Sequence, residues 1–248
     1  MNRNEFFQAL PVTKLVLRLT SATLEICTDD IDDIHVMISG GKADVEALRI
    51  SASADALTVE QPVSTLAKSA AAPGRWLQIA IRLPRTWKGA IEARTVTGWM
   101  NIRAVAGTDL SLDTVSGMIM AADLSFLTMS ARSVTGDVKL NQVSSGKCSL
   151  FSTSGSLTAM RTSLQNGSAS TVTGLITLDL VSPFEELTLN SVTGDLCVDA
   201  PITACDALMR SVSGRIRTSG VSIVEGAAKL RATTVSSDLD ITCNLEEI

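Results

Sequence analysis

The sequence predicts an all-β protein built as a parallel β-helix, or β-solenoid, with about 19–20 residues in each turn. Three observations predict this fold. A short phrase recurs at a nearly fixed interval, apolar and polar residues alternate around it, and the apolar residues are almost all aliphatic. Aromatic residues make up only 3% of the chain, whereas apolar residues make up 45%. We therefore expect a core of Val, Ile, Leu, Ala and Met between stacked short strands.

The recurring phrase is [ST]-V-[ST]-G, clearest in SVTGDVKL (133–140) and SVTGDLCV (191–198). Copies aligned on the Gly lie 19, 19, 19, 19, 20, 20 and 23 residues apart. A repeat of this length is typical of solenoids. The last copy has Ser in place of Gly, which predicts a modified terminal cap. The aligned positions are Gly98, Gly117, Gly136, Gly155, Gly174, Gly194, Gly214 and Ser237.

Alternation on both sides of the Gly predicts which side chains are buried. Residues two and four after the Gly are mostly apolar, as in Met100 and Ile102, and this pattern is typical of a strand with one buried face. A pair upstream of the Gly, such as Ile91 and Ala93, alternates in the same way. We further expect the Val of the phrase to point inward, its Ser and Thr neighbours to point outward, and the Gly to form a bend.

The first ninety residues lack the phrase but contain alternating segments, and they predict irregular N-terminal strands with a cap. Residues Asn4 to Leu10 predict a short helix over the open end, stopped by Pro11. The segment STLAKSAAAPGR (64–75) predicts a mobile loop. The whole chain is expected to form a single β-solenoid domain, 1–248, in which 1–90 are the irregular strands and cap and 91–248 the regular repeats.

Composition excludes several classes of function. The chain has 21 basic and 26 acidic residues, and no Lys or Arg cluster that would bind phosphates, so we expect no nucleic-acid partner. Five cysteines without a CxxC and the single His35 predict neither a metal site nor a disulfide framework, and no cofactor is expected. No apolar run reaches the ~18 residues of a membrane span. No signal peptide is recognised, so a cytoplasmic location is expected.

The order of these elements resembles the bacterial putative-adhesin family of parallel β-helical repeat proteins. The resemblance rests on an early LEI…IHVMISG, a central LTVEQ…IAIRLP and the repeated [ST]-V-[ST]-G, and it covers roughly residues 15 to 242. It implies a β-helical scaffold that binds another macromolecule, and it brings no catalytic residues. Many relatives are exported or attached to membranes, so the resemblance also implies association with the cell surface.

Two carboxylates are candidate ligand-binding residues. Asp179 and Asp199 both stand five residues after a repeat Gly, so they are expected on consecutive turns about 5 Å apart. Such a pair could act as general acid and base or hold a cation, or each could bond its own backbone. On this basis the alternative function is a polysaccharide-binding or polysaccharide-cleaving β-helix protein.

An apolar cluster is the candidate interaction patch. Trp99 and Met118 each follow a repeat Gly on adjacent turns, and Met120 lies two residues further on. An exposed apolar patch indicates a partner or a segment of the same chain that covers it. The N-terminal strands or the 64–75 segment could cover the patch, and self-association is the alternative. The preferred function is a non-enzymatic scaffold or binding protein, with a protein or a surface polymer as partner and no catalytic residue.

Overall fold

Strands of different repeats lie side by side and in register in the structure. The computed structural model describes residues 1–10, 12–62 and 77–244, and within these ranges the chain is all-β with one six-residue helix. The predicted all-β class is confirmed. The elements are β1 (Asn2–Gln8), β2 (Lys14–Arg18), β3 (Thr23–Asp29), β4 (Asp33–Gly40), α1 (Lys42–Ala47), β5 (Arg49–Ala52), β6 (Ala56–Glu60), β7 (Leu77–Pro84), β8 (Ala90–Thr97), β9 (Met100–Arg103), β10 (Ala106–Ser116), β11 (Ile119–Thr135), β12 (Val138–Ser154), β13 (Leu157–Thr173), β14 (Ile176–Leu180), β15 (Glu186–Thr193), β16 (Leu196–Ala200), β17 (Ala204–Ser211), β18 (Ile216–Ser219), β19 (Ser222–Ile223), β20 (Ala228–Ser236) and β21 (Leu239–Cys243).

The chain divides into two compact units, Met1–Phe126 and Leu127–Ile248. The single domain over 1–248 stays a prediction. None of the described helices is long and apolar enough to cross a membrane. The 64–75 loop and the helix stop at Pro11 lie outside the described residues.

The first unit contains two ladders of strands. One runs in the order β5, β6, β2, β8, β10, and the other runs β1, β4, β7, β3, β9 and the start of β11. The strands β2, β3, β8, β9, β10 and β11 pair in parallel, whereas β5, β1 and β4 join antiparallel. The β2–β3 repeat, although first in the chain, therefore lies between the β6–β7 repeat and the β8–β9 repeat. The antiparallel strands lie at this edge of the two ladders, and Val45 of α1 and Leu48 directly after it are buried.

The expected helix at Asn4 to Leu10 is wrong. Residues Asn2–Gln8 form β1, whose side chains alternate in exposure and which pairs antiparallel with β4 over seven residues. The ring of Phe6 packs edge-on against His35, with centroids 4.5 Å apart. A seven-residue segment gains little from helix formation alone, so pairing with a formed strand decides its conformation.

The second unit also has two ladders, and its last repeat is out of sequence order. One ladder runs β12, β13, β15, β20, β17, and the other runs β12, β13, β14, β16, β21, β18, all parallel. The β20–β21 repeat, which contains Ser237, therefore lies between the repeats of Gly194 and Gly214. The prediction that the Ser237 repeat is the terminal cap is wrong, because the β17–β18 repeat occupies the end of the stack.

The burial of the phrase is the reverse of the prediction at its first two positions, whereas its second Ser or Thr is exposed, as predicted. The first Ser or Thr points inward, and the Val is 41–47% exposed in six repeats. The upstream alternation of Ile91 and Ala93 simply continues to Thr95, and the single change of parity falls after the Val. The buried hydroxyl residues are Thr95, Thr114, Ser133, Ser152, Thr171, Ser191 and Thr234, and the exposed valines are Val96, Val115, Val134, Val172, Val192 and Val235.

In some repeats the buried hydroxyl at this position lies within hydrogen-bond distance of a backbone carbonyl. The Thr171 hydroxyl is 3.2 Å from the carbonyl oxygens of Gly155 and Thr173, and the Ser152 hydroxyl is 3.2 Å from that of Gly136. These hydroxyls donate hydrogen bonds to backbone carbonyls at the corner. In four other repeats the buried hydroxyl has no hydrogen-bond partner among the described residues; these are the hydroxyls of Thr114, Ser133, Ser191 and Thr234.

The Gly is required by close contact between repeats as well as by its dihedral angle. Gly174 and Gly194 have φ of 142° and 137°. A Cβ on Gly174 would lie 2.3 Å from the carbonyl oxygen of Gly155, and one on Gly194 would lie 2.0 Å from that of Gly174. The corner glycines thus stack directly on one another, which any side chain would prevent.

Candidate functional site

Trp99 is an exposed indole on the surface of the first unit. It follows the corner residue Gly98 and precedes the buried Met100, so the alternation of the strand turns it outward. It is 58% exposed. The register of β9 places Met118 beside it on one side and Thr23 on the other. The described N-terminal strands therefore adjoin Trp99 without covering it.

The sequence-based prediction missed two further exposed apolar side chains on the repeats that carry Trp99 and Met118. Val96 and Val115 were predicted inward, but they are 44% and 47% exposed on the same two repeats as Trp99 and Met118. One more step of the upstream alternation would have identified them. We call Val96, Trp99, Val115, Met118 and Met120 the Trp99 patch.

The other tryptophan that the structure describes behaves differently. Trp87 is only 5% exposed, and its indole Nε1 donates a hydrogen bond to the Val12 carbonyl at 2.9 Å. This side chain therefore has a packing role and a satisfied donor, as is usual for buried tryptophan. Trp99 has no such burial, and its exposure is not explained by the core.

Ion pairs occupy the same ladders as the Trp99 patch. Arg103 Nη2 lies 2.6 Å from Glu25 Oε1 across β3 and β9, and Lys14 Nζ lies 3.1 Å from Glu92 Oε2 across β2 and β8. The hydrogen bond from Lys14 lowers the pKa of Glu92 below its usual value. These charged side chains are thus paired, whereas the side chains of the Trp99 patch are apolar.

The structure brings Asp179 and Asp199 together on the second unit. The two residues are register partners on β14 and β16. Asp179 accepts hydrogen bonds from the Arg161 amide at 3.2 Å and from Asn244 Nδ2 at 3.4 Å. Asp199 Oδ1 is buried and lacks a hydrogen-bond partner among the described residues. Burial and the neighbouring Asp179 raise the pKa of the Asp199 carboxyl.

These carboxylates line a shallow groove of about 530 Å³ on the second unit. Thr242 and Asp240, both on β21, line the same groove. Within the part of the chain that the structure describes, no three His, Cys, Asp or Glu side chains group closely enough to hold a metal ion. The groove therefore offers hydrogen-bond acceptors and one carboxyl that retains its proton more readily than usual.

The residue after the corner Gly has a structural use in several repeats. Asp137 accepts a hydrogen bond from the Ser156 amide at 2.9 Å, and Asp195 accepts one from the Asp238 amide at 2.9 Å. Asp238 in turn accepts one from the Arg215 amide at 2.8 Å. Each of these carboxylates thus links its own repeat to a neighbouring repeat by accepting a hydrogen bond from a backbone amide there. At the same position Trp99 makes no equivalent bond through its side chain, because an indole accepts none.

Cys148 and Cys197 are not poised for nucleophilic chemistry. Burial raises the pKa of Cys148 to about 12. Burial, followed by Asp240 and Asp195, raises the pKa of Cys197. Because the thiolate is the reactive form, both thiols are protonated at neutral pH and react slowly.

Comparison with known proteins places this fold. The profile of the family described as Toastrack DUF4097 matches residues 12–247. A putative adhesin from Bacteroides fragilis is 14% identical with a TM-score of 0.61, and 97% of each chain is covered. A putative adhesin from Parabacteroides distasonis is 11% identical with a TM-score of 0.62 over 97% of each chain. A third, from Parabacteroides merdae, is 9% identical with a TM-score of 0.56 over 97% of this chain and 95% of its own. No curated protein sequence matches the chain significantly.

Proposed function

Because the chain belongs to the Toastrack DUF4097 family, we propose that it is a non-enzymatic, adhesin-like binding protein built as a parallel β-helix. Two kinds of observation support the β-helix. Parallel strands pair at one-repeat spacing, as in Leu157 with Ile176, and corner glycines stack on one another. The structural neighbours named as putative adhesins support the binding role.

The observation that carries the proposed function is the exposure of Trp99. A tryptophan that keeps 58% of its surface accessible is a costly feature unless something binds it. Tryptophan is enriched among the residues that dominate binding energy, because a rigid ring buries a large area at low entropic cost. Met118 and Met120 beside it are flexible and polarizable, so they can adapt to the shape of a partner.

The partner that suits the Trp99 patch is a macromolecule on a cell surface, either a protein or a polymer. The patch is apolar, and Lys14, Glu92, Arg103 and Glu25 on the same ladders form ion pairs, so the patch does not select strongly for a charged ligand. Association with the cell surface belongs to this proposal, and the likeness to proteins described as putative adhesins supports it.

Binding to bacterial cell surfaces tests the proposed function. Retention on intact cells and on isolated cell-wall polymer is measured for wild type, Trp99→Ala and Val181→Ala. Val181 is the matched control, because it is also 58% exposed but lies in the second unit. We expect Trp99→Ala to weaken retention at least ten-fold, in the range of ~2 kcal/mol for a binding hot spot. Equal retention of wild type and Trp99→Ala would exclude the Trp99 patch as the binding surface.

Polysaccharide binding or cleavage at Asp179 and Asp199 is the second candidate. The raised pKa of Asp199 beside Asp179 favours it, since two carboxyls about one strand spacing apart, one with a raised pKa, suit acid–base chemistry. Asp199→Asn should then abolish polysaccharide binding or turnover while Trp99→Ala has no effect. The proposed function predicts the opposite pattern.

A further inference from the structure

The end of the second unit formed by β17 and β18 is uncovered by the part of the chain that the structure describes. Ile216 on β18 is 42% exposed, whereas its register partner Leu239 on β21 is fully buried. Met209 on β17 is half-exposed, whereas its partner Ala232 on β20 is fully buried. Residues of the buried face thus reach solvent at this end of the ladder.

The backbone edge at this end is also unpaired. Among the described residues, β17 pairs along its length with β20 on one side. On its other side only Ala204 and Cys205 have partners, in β19. The segment Asp206–Arg210 therefore presents a free edge of five residues, which is the usual length of a β-strand. A free edge beside exposed apolar residues is a template for another strand.

The sequence of that segment is self-complementary in an antiparallel pairing. It reads Asp-Ala-Leu-Met-Arg, with the carboxylate at one end and the guanidinium at the other. If two copies pair antiparallel about Leu208, Asp206 of each copy lies opposite Arg210 of the other. Ala207 then faces Met209 on the buried side, and the two Leu208 side chains meet on the outer side.

The charges of Asp206 and Arg210 favour a second copy of β17, rather than an unrelated strand, as the partner at this edge. Arg210 is exposed and has no ion pair among the described residues. Asp206 lies 3.6 Å from Arg231 Nη1 through one carboxylate oxygen, which leaves its other oxygen for a second cation. Opposite charges directly across an antiparallel pair stabilise it, and like charges destabilise it.

We propose that β17 of a second copy pairs antiparallel with β17 about Leu208 and closes this end of the fold as a two-fold dimer. The symmetry is closed, because each copy uses the same segment and leaves no further edge of this kind. The dimer covers Met209 and Ile216 in both copies. It does not involve the Trp99 patch, so it is independent of the proposed binding function.

Sedimentation velocity over roughly 1–100 μM protein tests the dimer, a range in which a weak to moderate association is visible. Wild type should dimerise. Arg210→Asp places Asp206 opposite a second carboxylate, and we expect its dimerisation to be at least ten-fold weaker. The double variant Asp206→Arg with Arg210→Asp restores opposite charges and should dimerise within about three-fold of wild type. Trp99→Ala should dimerise as wild type does.

Several results would overturn the dimer. A wild-type monomer over the whole range would do so, and slow amide exchange at residues 206–210 in that monomer would identify the chain itself as the cover. Dimerisation of Arg210→Asp equal to wild type, or failure of the double variant to recover, would place the contact elsewhere. Loss of the dimer in Trp99→Ala would assign the contact to the Trp99 patch.

Discussion

The Gly194 amide donates a hydrogen bond to the Ser237 hydroxyl at 2.8 Å, although 43 residues separate them in the chain. A simple succession of repeats would have placed Gly214 against Gly194. The hydrogen bond exists because β20 and β21 lie between the repeats of Gly194 and Gly214. Ser replaces Gly in a repeat that is internal to the ladder, and its hydroxyl substitutes for a backbone contact at the corner.

This order of strands predicts which cysteine pairs can form a disulfide. Cys197 on β16 is the register partner of Asp240 on β21, and Asp240 is the partner of Arg217 on β18. Asp240→Cys should therefore form a disulfide with Cys197 on mild oxidation. Arg217→Cys should not, because two strand spacings, about 9.6 Å, exceed the Cα separation that a disulfide spans. Peptide mapping by mass spectrometry, with Cys243→Ser in both variants, distinguishes them. A Cys197 disulfide in Arg217→Cys alone would indicate sequential stacking.

Replacing Thr by Val is expected to affect the free energy of unfolding differently at two corners, because only one of the two buried hydroxyls is hydrogen-bonded. The Thr171 hydroxyl lies within hydrogen-bond distance of two carbonyls, whereas the Thr234 hydroxyl is buried without a partner in the described part of the chain. Thr171→Val should lower the free energy of unfolding by about 1 kcal/mol, and Thr234→Val should leave it unchanged or raise it. Urea denaturation measures both. Equal destabilisation of the two variants would contradict the hydrogen-bond account of the corner.

Close stacking of the corner glycines predicts a large cost for a single methyl group. Gly174→Ala should lower the free energy of unfolding by about 2–3 kcal/mol, because its Cβ would meet the Gly155 carbonyl and its φ is left-handed. Gly226 also has a positive φ, of 83°, but nothing lies within 4 Å of its Cβ position. Gly226→Ala should therefore cost only about 1 kcal/mol from backbone strain. Denaturant melts that rank the two variants in the reverse order would argue against stacked corners.

Removal of the Asp199 carboxyl is expected to raise the stability of the protein in a pH-dependent way. The folded-state pKa of this carboxyl is raised by burial and Asp179, so its ionised form opposes folding at neutral pH. That opposition fades as the pH falls through the raised folded-state pKa, and it is gone below the unfolded value of about 3.9. Asp199→Asn should raise the melting temperature at pH 7 by about 1–2 °C, as expected for removal of one repulsive surface contact. The difference should vanish near pH 3.

Asp113→Asn is the control for that prediction. Asp113 lies 3.5 Å from Arg94 Nε, so its removal should leave the melting temperature unchanged or slightly lower. A melting temperature for Asp199→Asn at pH 7 no higher than that of wild type would show that the two carboxylates do not repel each other measurably.

The repeat period and the buried pairs of each strand followed from the sequence, because a strand with one buried face must alternate. The burial of the first two residues of the [ST]-V-[ST]-G phrase was not predicted correctly from the sequence. Ser and Thr are small enough to be buried when a carbonyl accepts their hydroxyl, so hydropathy alone did not separate Thr95 from Val96. Only continued alternation from Ile91 and Ala93 distinguishes them.

The order of the repeats could not have been predicted either. Each repeat presents the same register and a similar corner to its neighbours, so the period identifies equivalent residues and not adjacent ones. Gly98 illustrates this. The corner at Gly98 lies against Ala22 of the β2–β3 repeat, and not against the β6–β7 repeat that precedes it in the sequence. The adjacency of Asp179 and Asp199 was predicted correctly, because their repeats are consecutive in both sequence and structure, while their role as ligand-binding residues stays a prediction.

The central claim is that a partner covers the Trp99 patch, and iodide quenching of tryptophan fluorescence tests it most directly. In a Trp76→Phe variant the emission comes from Trp99 and the buried Trp87, so quenching by iodide reports Trp99. The probe is the cell-wall polymer or cell-surface fraction that retains wild type but not Trp99→Ala. We expect strong quenching of the free protein and at least a several-fold lower quenching constant in the bound protein. Unchanged quenching in the bound protein would contradict the claim, because Trp99 would then lie outside the contact.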